Sequence, residues 1–243
     1  MRYRPKRLSH EFPDIRVFRD GISPTDIYQG SLGNCYLLSA ISAIAEFPSR
    51  ITRIIRQRKK SPKSAYCIAL CITGQFEEIY LDDIVLCRSY KVADDYGRVG
   101  LAFAQNKEGE MWTILIEKAY AKAYGGYHNI GIGGSGDLTL FDLTGAPSEC
   151  INFAYISVES GKLRKAKTGN KNLGADLTDR ETDLLFERLW QYDQMGYIMS
   201  CGTREFSKEE MANYQKRVDE AQRSKTPATV EMEFGNGLYT THA

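Results

Sequence analysis

The sequence predicts an α+β fold, in which helices and short strands occupy separate stretches of the chain. Apolar residues recur at three- and four-residue spacing over residues 37–45, which indicates a helix with one buried face. Residues 65–73 and 77–86 are rich in β-branched and aromatic side chains and flank Gly74-Gln75, a pattern typical of two strands. Residues 110–123 return to helical spacing. Together, these patterns predict a mixture of helices and small sheets.

The composition is that of an ordinary globular protein. Of 243 residues, 42% are hydrophobic and 26% are charged. The formal net charge of +1 argues against nucleic acid or an anionic membrane as the main partner. No apolar run approaches the roughly 20 residues that cross a bilayer, and no apolar region follows the basic start, so we expect neither a membrane span nor a secretory signal.

The six cysteines form neither Cys-x-x-Cys pairs nor a disulfide framework. We therefore expect a reduced, intracellular protein of the cytoplasm. Cys67 and Cys71 lie in an apolar, strand-like run and are predicted to pack rather than to bind a metal. Asp82-Asp83 could ligate a metal, but a solvated turn is the favoured interpretation.

Cys35 is the candidate nucleophile. Asn34 is a good N-cap residue, so Cys35 should lie in the first helical turn, where free N–H groups and the helix dipole favour a thiolate. Six residues upstream, Gln29 offers an amide to an oxyanion that forms beside the sulfur. The alternative is that Cys35 simply packs, as most free cysteines in apolar helices do.

A glycine-rich stretch at residues 131–136 matches the Gly-x-Gly-x-x-Gly pattern of dinucleotide-binding sites. That interpretation is rejected, because the pattern requires a preceding strand and a helical segment precedes it here. Beyond Pro147, residues 157–180 read as a linker or surface loop. Further predictions are a helix over 182–194, a short strand over 197–201 and a charged, helix-favouring stretch over 207–223.

Three segments resemble the calpains, intracellular cysteine proteases with a papain fold. The first is Gln-Gly-x-Leu-Gly-x-Cys-x-Leu-Leu-x-Ala over residues 29–40, with Tyr36 where calpains usually carry Trp. The second is Glu-Lys-Ala-Tyr-Ala-Lys over 117–122, and the third is Phe-Asp-Leu-Thr-Gly over 141–145. The resemblance implies that Gly133 and Gly134 line the substrate cleft, and that Tyr36 contributes an aromatic wall.

The resemblance implies a papain-like cysteine protease fold with a helical first lobe, a small sheet and a partial β-rich second lobe. The expected divisions are an N-terminal arm (1–16, the start of a proline-containing extended stretch), the nucleophile lobe (17–155), a linker (156–180) and a truncated histidine lobe (181–243). His242 is the expected catalytic base, although Thr241 replaces the usual Gly before it. The orienting Asn that calpains carry some twenty residues later has no counterpart, so the chain is either a fragment or not competent as written.

Calpains respond to Ca²⁺, and the resemblance suggests ligands at Gly21, Asp26 and Glu110. Carbonyl and carboxylate oxygens suit this cation. The alternative is that Asp26 caps a turn and Glu110 is an acid at a helix N-terminus.

The predicted function is a calcium-regulated intracellular cysteine endopeptidase that acts on protein substrates. One alternative is an inactive calpain-like module that serves as a scaffold or binding subunit in a larger protein assembly. A weaker alternative is acyl transfer to an acceptor other than water, as in transglutaminases.

Overall fold

The computed structural model describes residues 3–19, 21–92, 95–106, 109–151, 156–159, 162–165, 178–201, 216, 232–234 and 238–240. The chain divides into two compact units, Met1–Ser200 and Cys201–Ala243. The predicted mixture of helices and small sheets is confirmed. The papain-like arrangement of two lobes stays a prediction.

Helices of the described chain all contain at least one turn. They are α1 (Leu8–Glu11), α2 (Cys35–Ala45), α3 (Pro48–Ile54), α4 (Trp112–Ala123), α5 (Tyr127–Ile130), α6 (Gly136–Thr144) and α7 (Asp179–Gln194), with a short 3₁₀ helix at Pro24–Asp26.

Strands of the described chain pair antiparallel throughout. They are β1 (Tyr3–Arg7), β2 (Ile27–Tyr28), β3 (Ala65–Ile72), β4 (Gln75–Asp82), β5 (Ile84–Val92), β6 (Asp95–Leu101), β7 (Gln105–Asn106), β8 (Ile156–Glu159), β9 (Lys162–Lys165), β10 (Met232–Phe234) and β11 (Leu238–Thr240). The sheets are β1-β5-β6, β2-β7, β3-β4, β8-β9 and β10-β11.

The core of the first unit lies between α2, α4 and the β3-β4 hairpin. The periodic apolar face of α2 is buried as predicted, since Leu37, Ile41 and Ile44 are inaccessible to solvent. Trp112 opens α4 and is fully buried in the same cluster. Burying apolar side chains of this size contributes roughly 1.5–3 kcal/mol each, so this packing holds α2 in the core of the first unit.

The strands predicted over 65–73 and 77–86 are confirmed as β3 and β4, but the second strand ends at Asp82. Asp83 interrupts it, and β5 begins at Ile84. Cys67 and Cys71 are buried on β3, as predicted for packing residues.

The solvated turn expected at Asp83 is wrong. This carboxylate is fully buried, lies 2.5 Å from Nη1 of Arg7 and accepts a hydrogen bond from the backbone N–H of Ser9. The ion pair compensates for the desolvation of the charge. Asp82, by contrast, is half exposed and pairs with Lys118.

Residues 3–17 do not form the extended arm that the prolines suggested. Tyr3–Arg7 pairs with β5 as an edge strand, and the N–H of Leu8 donates to the Asp83 carbonyl at 2.9 Å. Leu8, Ile15 and Val17 are part of the core. The start of the chain is therefore integrated into the first unit.

The helix predicted over 182–194 is confirmed as α7, and it begins with a capping box formed by Thr178 and Glu181. The strand predicted over 197–201 is wrong. Gly196 adopts a left-handed φ of 70°, and the N–H of Tyr197 donates to the Tyr192 carbonyl at 3.0 Å, so the chain folds back onto the helix end.

Parts of the later sequence lie outside the described residues. Within the predicted linker, β8 and β9 form a hairpin, whereas residues 166–177 are not among those described. Of the stretch 207–223, only Lys216 is described, in helical conformation. In the second unit, β10 pairs with β11.

Candidate active site

Cys35 is the first residue of α2, and it is exposed to solvent while the helix face beyond it is buried. The first N–H groups of a helix have no partner within the helix, so the sulfur lies beside free donors at the positive end of the dipole. This placement is the one that the sequence predicted. Cys35 is thus not buried in the apolar core, and its predicted role as the nucleophile stays a prediction.

The loop that leads to Cys35 is held against the segment before β7. The N–H and hydroxyl of Ser31 both donate to the Ala102 carbonyl, at 3.1 and 3.0 Å. A Cβ atom at Gly30 would lie 2.3 Å from the Phe103 carbonyl oxygen. Only glycine permits this close approach of two backbones, which explains Gly30 without any appeal to catalysis.

Asn34 occupies the predicted N-cap position, but its side chain does not cap the helix. Its Nδ2 instead donates to Oε1 of Glu117, at 2.7 Å, in the interior. Asn34 is fully buried, and its Oδ1 atom has no hydrogen-bond partner among the described residues. The backbone immediately before the thiol is therefore tied to the middle of α4.

Glu117 is the residue of this site that sequence reasoning missed. It is 1% exposed and also accepts the N–H of Ala104, at 3.2 and 3.3 Å from its two oxygens. Burial raises the pKa of Glu117 to about 7, against the opposing effect of its hydrogen bonds with Asn34 and Ala104. Its position in the helical repeat, four residues after Thr113 and three before Tyr120, was the available signal, because both neighbours lie on the buried face.

Gln29 is exposed, and its Nε2 donates to the Leu32 carbonyl at 2.7 Å. One amide hydrogen is thereby used within the loop, and the other remains for a further acceptor. The predicted role of Gln29 at an oxyanion stays a prediction.

The glycine-rich stretch of residues 131–136, here called the glycine loop, lies beside the start of α2. Gly33 and Ile132 form a parallel bridge, and the Tyr36 hydroxyl donates to the Ile130 carbonyl at 3.1 Å. A Cβ atom at Gly134 would lie 2.5 Å from the Tyr36 ring. The structure thus brings Tyr36 and Gly134 into contact, and places Gly133, with a left-handed φ of 97° and open space around it, next to them.

The Tyr36 ring rests on a buried polar cluster. It meets Tyr120 edge-on, with ring centroids 6.5 Å apart. Asp142 accepts hydrogen bonds from the hydroxyls of Tyr120 and Tyr124, at 2.9 and 2.5 Å. Burial, followed by the nearby Cys35 and Asp142, raises the pKa of Tyr36. Tyr36 is therefore neutral at physiological pH, and its role as a wall of the substrate cleft stays a prediction.

The three suggested calcium ligands are differently placed. Gly21 is exposed, and Asp26 is half-buried at the end of the 3₁₀ helix. Glu110 is 1% exposed; its Oε1 accepts the N–H of Arg19 and its Oε2 accepts Nε1 of Trp112, at 2.7 Å. Each Glu110 oxygen keeps a second lone pair, so this carboxylate can still bind a hard cation. Within the part of the chain that the structure describes, there is no cluster of three or more His, Cys, Asp or Glu side chains.

His242 and Thr241 lie outside the described residues and belong to the second unit. The predicted pairing of His242 with Cys35 therefore stays a prediction. Among the described helices, none has the length and apolar character needed to cross a bilayer.

Comparison with known proteins agrees with the motifs. The sequence model of the family described as calpain family cysteine protease matches residues 2–243. The chain is 34% identical over 151 residues to the calpain-type cysteine protease DEK1 of Arabidopsis thaliana, a match that covers 60% of this chain and 7% of that protein. It is 34% identical over 155 residues to calpain-5 of Caenorhabditis elegans, with 60% and 22% covered.

A third relative is the calpain-1 catalytic subunit of Bos taurus, which is 30% identical over 173 residues, with 65% of this chain and 23% of the relative covered. The chain thus matches less than a quarter of the length of each of these relatives. The family model, in contrast, spans nearly the whole chain and includes all three motifs. The chain belongs to the calpain family of cysteine proteases.

Proposed function

We propose that the chain supplies the nucleophile and the oxyanion-binding donors of a calcium-regulated cysteine endopeptidase that acts on protein substrates inside the cell. The observation that carries this proposal is the exposed thiol of Cys35 at the first residue of α2, in a chain of the calpain family. All six cysteines are free thiols, which agrees with a reducing compartment.

In the proposed reaction, the Cys35 thiolate attacks the carbonyl carbon of a peptide bond. The carbonyl oxygen becomes an oxyanion, which accepts hydrogen bonds from the Cys35 backbone N–H and the Gln29 side chain. His242 gives its proton to the leaving amine as the C–N bond breaks. Water then hydrolyses the thioester and releases the thiol. A positioned oxyanion donor contributes roughly 3–4 kcal/mol to such a reaction.

Substrate would approach along the glycine loop. Gly133 has no side chain and is open on the side where a Cβ would point, so a peptide backbone can lie close to it. Tyr36, held by the Ile130 carbonyl and by Tyr120, would form the adjoining wall.

Calcium is part of the same proposal. The Gly21 carbonyl and the carboxylates of Asp26 and Glu110 would hold it. When bound, the cation would supply positive charge beside these oxygens and would take no part in the bond-breaking steps.

The test is covalent labelling by an epoxide-type thiol-protease inhibitor. We expect one adduct, on Cys35, formed in the presence of millimolar calcium and lost in Cys35→Ala. Cys150→Ala is the matched control, because it removes another exposed thiol and should leave labelling intact. Failure of a full-length chain to react at millimolar calcium would contradict the proposal.

The second candidate is a calpain-like module that binds partners in a larger assembly and cleaves little. The bond from Gln29 to the Leu32 carbonyl supports it, because it diverts part of the predicted oxyanion donor into the loop. Tyr36 and Thr241 also support it, because calpains usually carry Trp and Gly at these two positions. Alkylation of Cys35 by iodoacetamide without any peptide hydrolysis by the full-length protein would favour this candidate.

A further inference from the structure

Glu117 has no part in the proposed bond-making steps, yet it connects the segments that carry them. It lies in the middle of α4, is 1% exposed, and faces Asn34 on one side and Ala104 on the other. A carboxylate so deeply buried costs stability unless its hydrogen bonds are well made. It is the buried carboxylate on a helix face that otherwise carries uncharged side chains.

Both ends of the loop from Gln29 to Cys35 depend on the partners of Glu117. At the near end, Ser31 donates twice to the Ala102 carbonyl, two residues from the N–H that Glu117 accepts. At the far end, Asn34 is held directly by its side chain. One carboxylate therefore links the segment that holds Ser31 to the residue that precedes Cys35.

The peptide between Asn34 and Cys35 is constrained on its carbonyl side as well. The Asn34 carbonyl accepts the N–H groups of Leu37 and Leu38, at 3.0 and 3.2 Å. A trans peptide directs its N–H opposite to its carbonyl, so the Cys35 N–H points away from the helix. The side-chain bond to Glu117 limits how far this peptide can tilt.

We propose that Glu117 is a positioning residue for acyl transfer at Cys35, and that it acts through Asn34 and Ala104 to fix the direction of the Cys35 backbone N–H toward the developing oxyanion. This inference rests on the proposed function, because it presumes that Cys35 attacks a carbonyl group. Glu117 itself touches neither the substrate nor the sulfur in this account.

The same geometry explains why the residue before the nucleophile is an amide. The Asn34 Nδ2 donates to the carboxylate, whereas an Asp at this position would bring two buried acids together. The free Oδ1 of Asn34 adds an option: after rotation of the amide, it can accept a hydrogen bond from a neutral partner at position 117. Glu117→Gln is thus able to keep both contacts, whereas Glu117→Leu loses both.

Two reactions of the full chain distinguish positioning from a general loss of structure. Iodoacetamide alkylates the Cys35 thiolate with displacement of iodide, and no oxyanion forms. p-Nitrophenyl acetate acylates the same thiolate through an oxyanion, with loss of nitrophenolate and formation of a thioester. The rate of each reaction is measured by mass spectrometry of the peptide that contains Cys35, at one pH above the range in which Glu117 titrates.

In Glu117→Leu we expect acylation to slow by at least about tenfold, because a donor of the oxyanion is misdirected. Alkylation should change by less than about threefold, since that reaction needs no such donor. Glu117→Gln should recover part of the lost acylation rate. Asp83→Asn is the matched control: it also removes a buried carboxylate, and it should leave the ratio of the two rates unchanged.

Equal slowing of both reactions in Glu117→Leu, or an unchanged ratio, would overturn the inference. If that variant does not fold, Asn34→Ala removes one of the two contacts and gives the same comparison. The two proposals can also fail separately. If the unsubstituted full chain does not react with the epoxide inhibitor, but Glu117→Leu still changes the ratio of acylation to alkylation, the protease proposal is refuted and the positioning role of Glu117 stands.

Discussion

At the scale of single residues, the burial of Glu117 couples folding to proton binding. The folded protein holds its proton up to about pH 7, whereas a carboxyl with the ordinary pKa of 4.5 releases it earlier. Between these values, unfolding releases a proton, so the free energy of unfolding falls as the pH rises. The contribution of this group is fully present below pH 4.5 and is lost by about pH 7.

We therefore expect the wild-type protein to lose up to about 3 kcal/mol more stability than Glu117→Gln between these two pH values. Urea denaturation at a series of pH values measures both proteins, and the difference between the two curves cancels the contributions of other carboxylates. Parallel curves would mean that Glu117 titrates normally in the folded state.

At the scale of elements, two adjacent acids at the junction of β4 and β5 perform unequal tasks. Asp83 is fully buried and joins β1 and α1 to the hairpin through Arg7 and the N–H of Ser9. Asp82 is half exposed, and its pairing with Lys118 takes place near solvent. Solvent screening weakens the second pair, whereas loss of a partner leaves a buried charge in the first.

We expect Asp83→Asn to lower the free energy of unfolding by about 3 kcal/mol, and Asp82→Asn to lower it by at most about 1 kcal/mol. Chemical denaturation of the two variants measures both effects, and the neighbouring position serves as the control. Equal losses would show that burial is not what separates the two acids.

The sequence was informative wherever structure depends on neighbours along the chain. Helix α2, helix α4 and the β3-β4 hairpin follow from local periodicity, and the position of Cys35 follows from the helix start. The bond between Asn34 and Glu117 joins residues 83 positions apart, and that between Arg7 and Asp83 joins residues 76 apart. No local sequence pattern predicts such distant pairs. Glu117 was therefore missed, and Asp83 was expected in a solvated turn.

The strand expected at residues 197–201 failed for a related reason. Its side chains suit a strand, but a strand also needs a partner, and the left-handed Gly196 directs Tyr197 back onto α7. Aromatic packing of Tyr197 on Tyr192, with ring centroids 5.2 Å apart, holds that arrangement. A local preference was overruled by the contact that the preceding helix offered.

At the scale of the whole molecule, the first unit holds the described hydrophobic core. The cluster of buried apolar residues runs from Leu8 to Leu143, entirely before the boundary at Ser200. The glycine loop and the nucleophile lie within the same unit. The stability of the first unit should therefore not require residues 201–243.

A chain that ends at Ser200 is expected to unfold in one cooperative transition. Trp112 is fully buried and Trp190 is more than half exposed, so tryptophan fluorescence chiefly reports the core. Coincident fluorescence and circular dichroism transitions in urea would agree with this expectation. A broad, non-cooperative transition with exposed hydrophobic surface would contradict it.

Strand β1 borders the sheet β1-β5-β6, and Pro5 stands in its middle. Proline lacks an N–H, and Arg4 and Lys6 flank it, so this rim presents an incomplete row of donors and a concentration of like charge. A strand of another molecule would therefore pair poorly with this edge. We therefore expect Pro5 and its charged neighbours to disfavour edge-to-edge aggregation through β1.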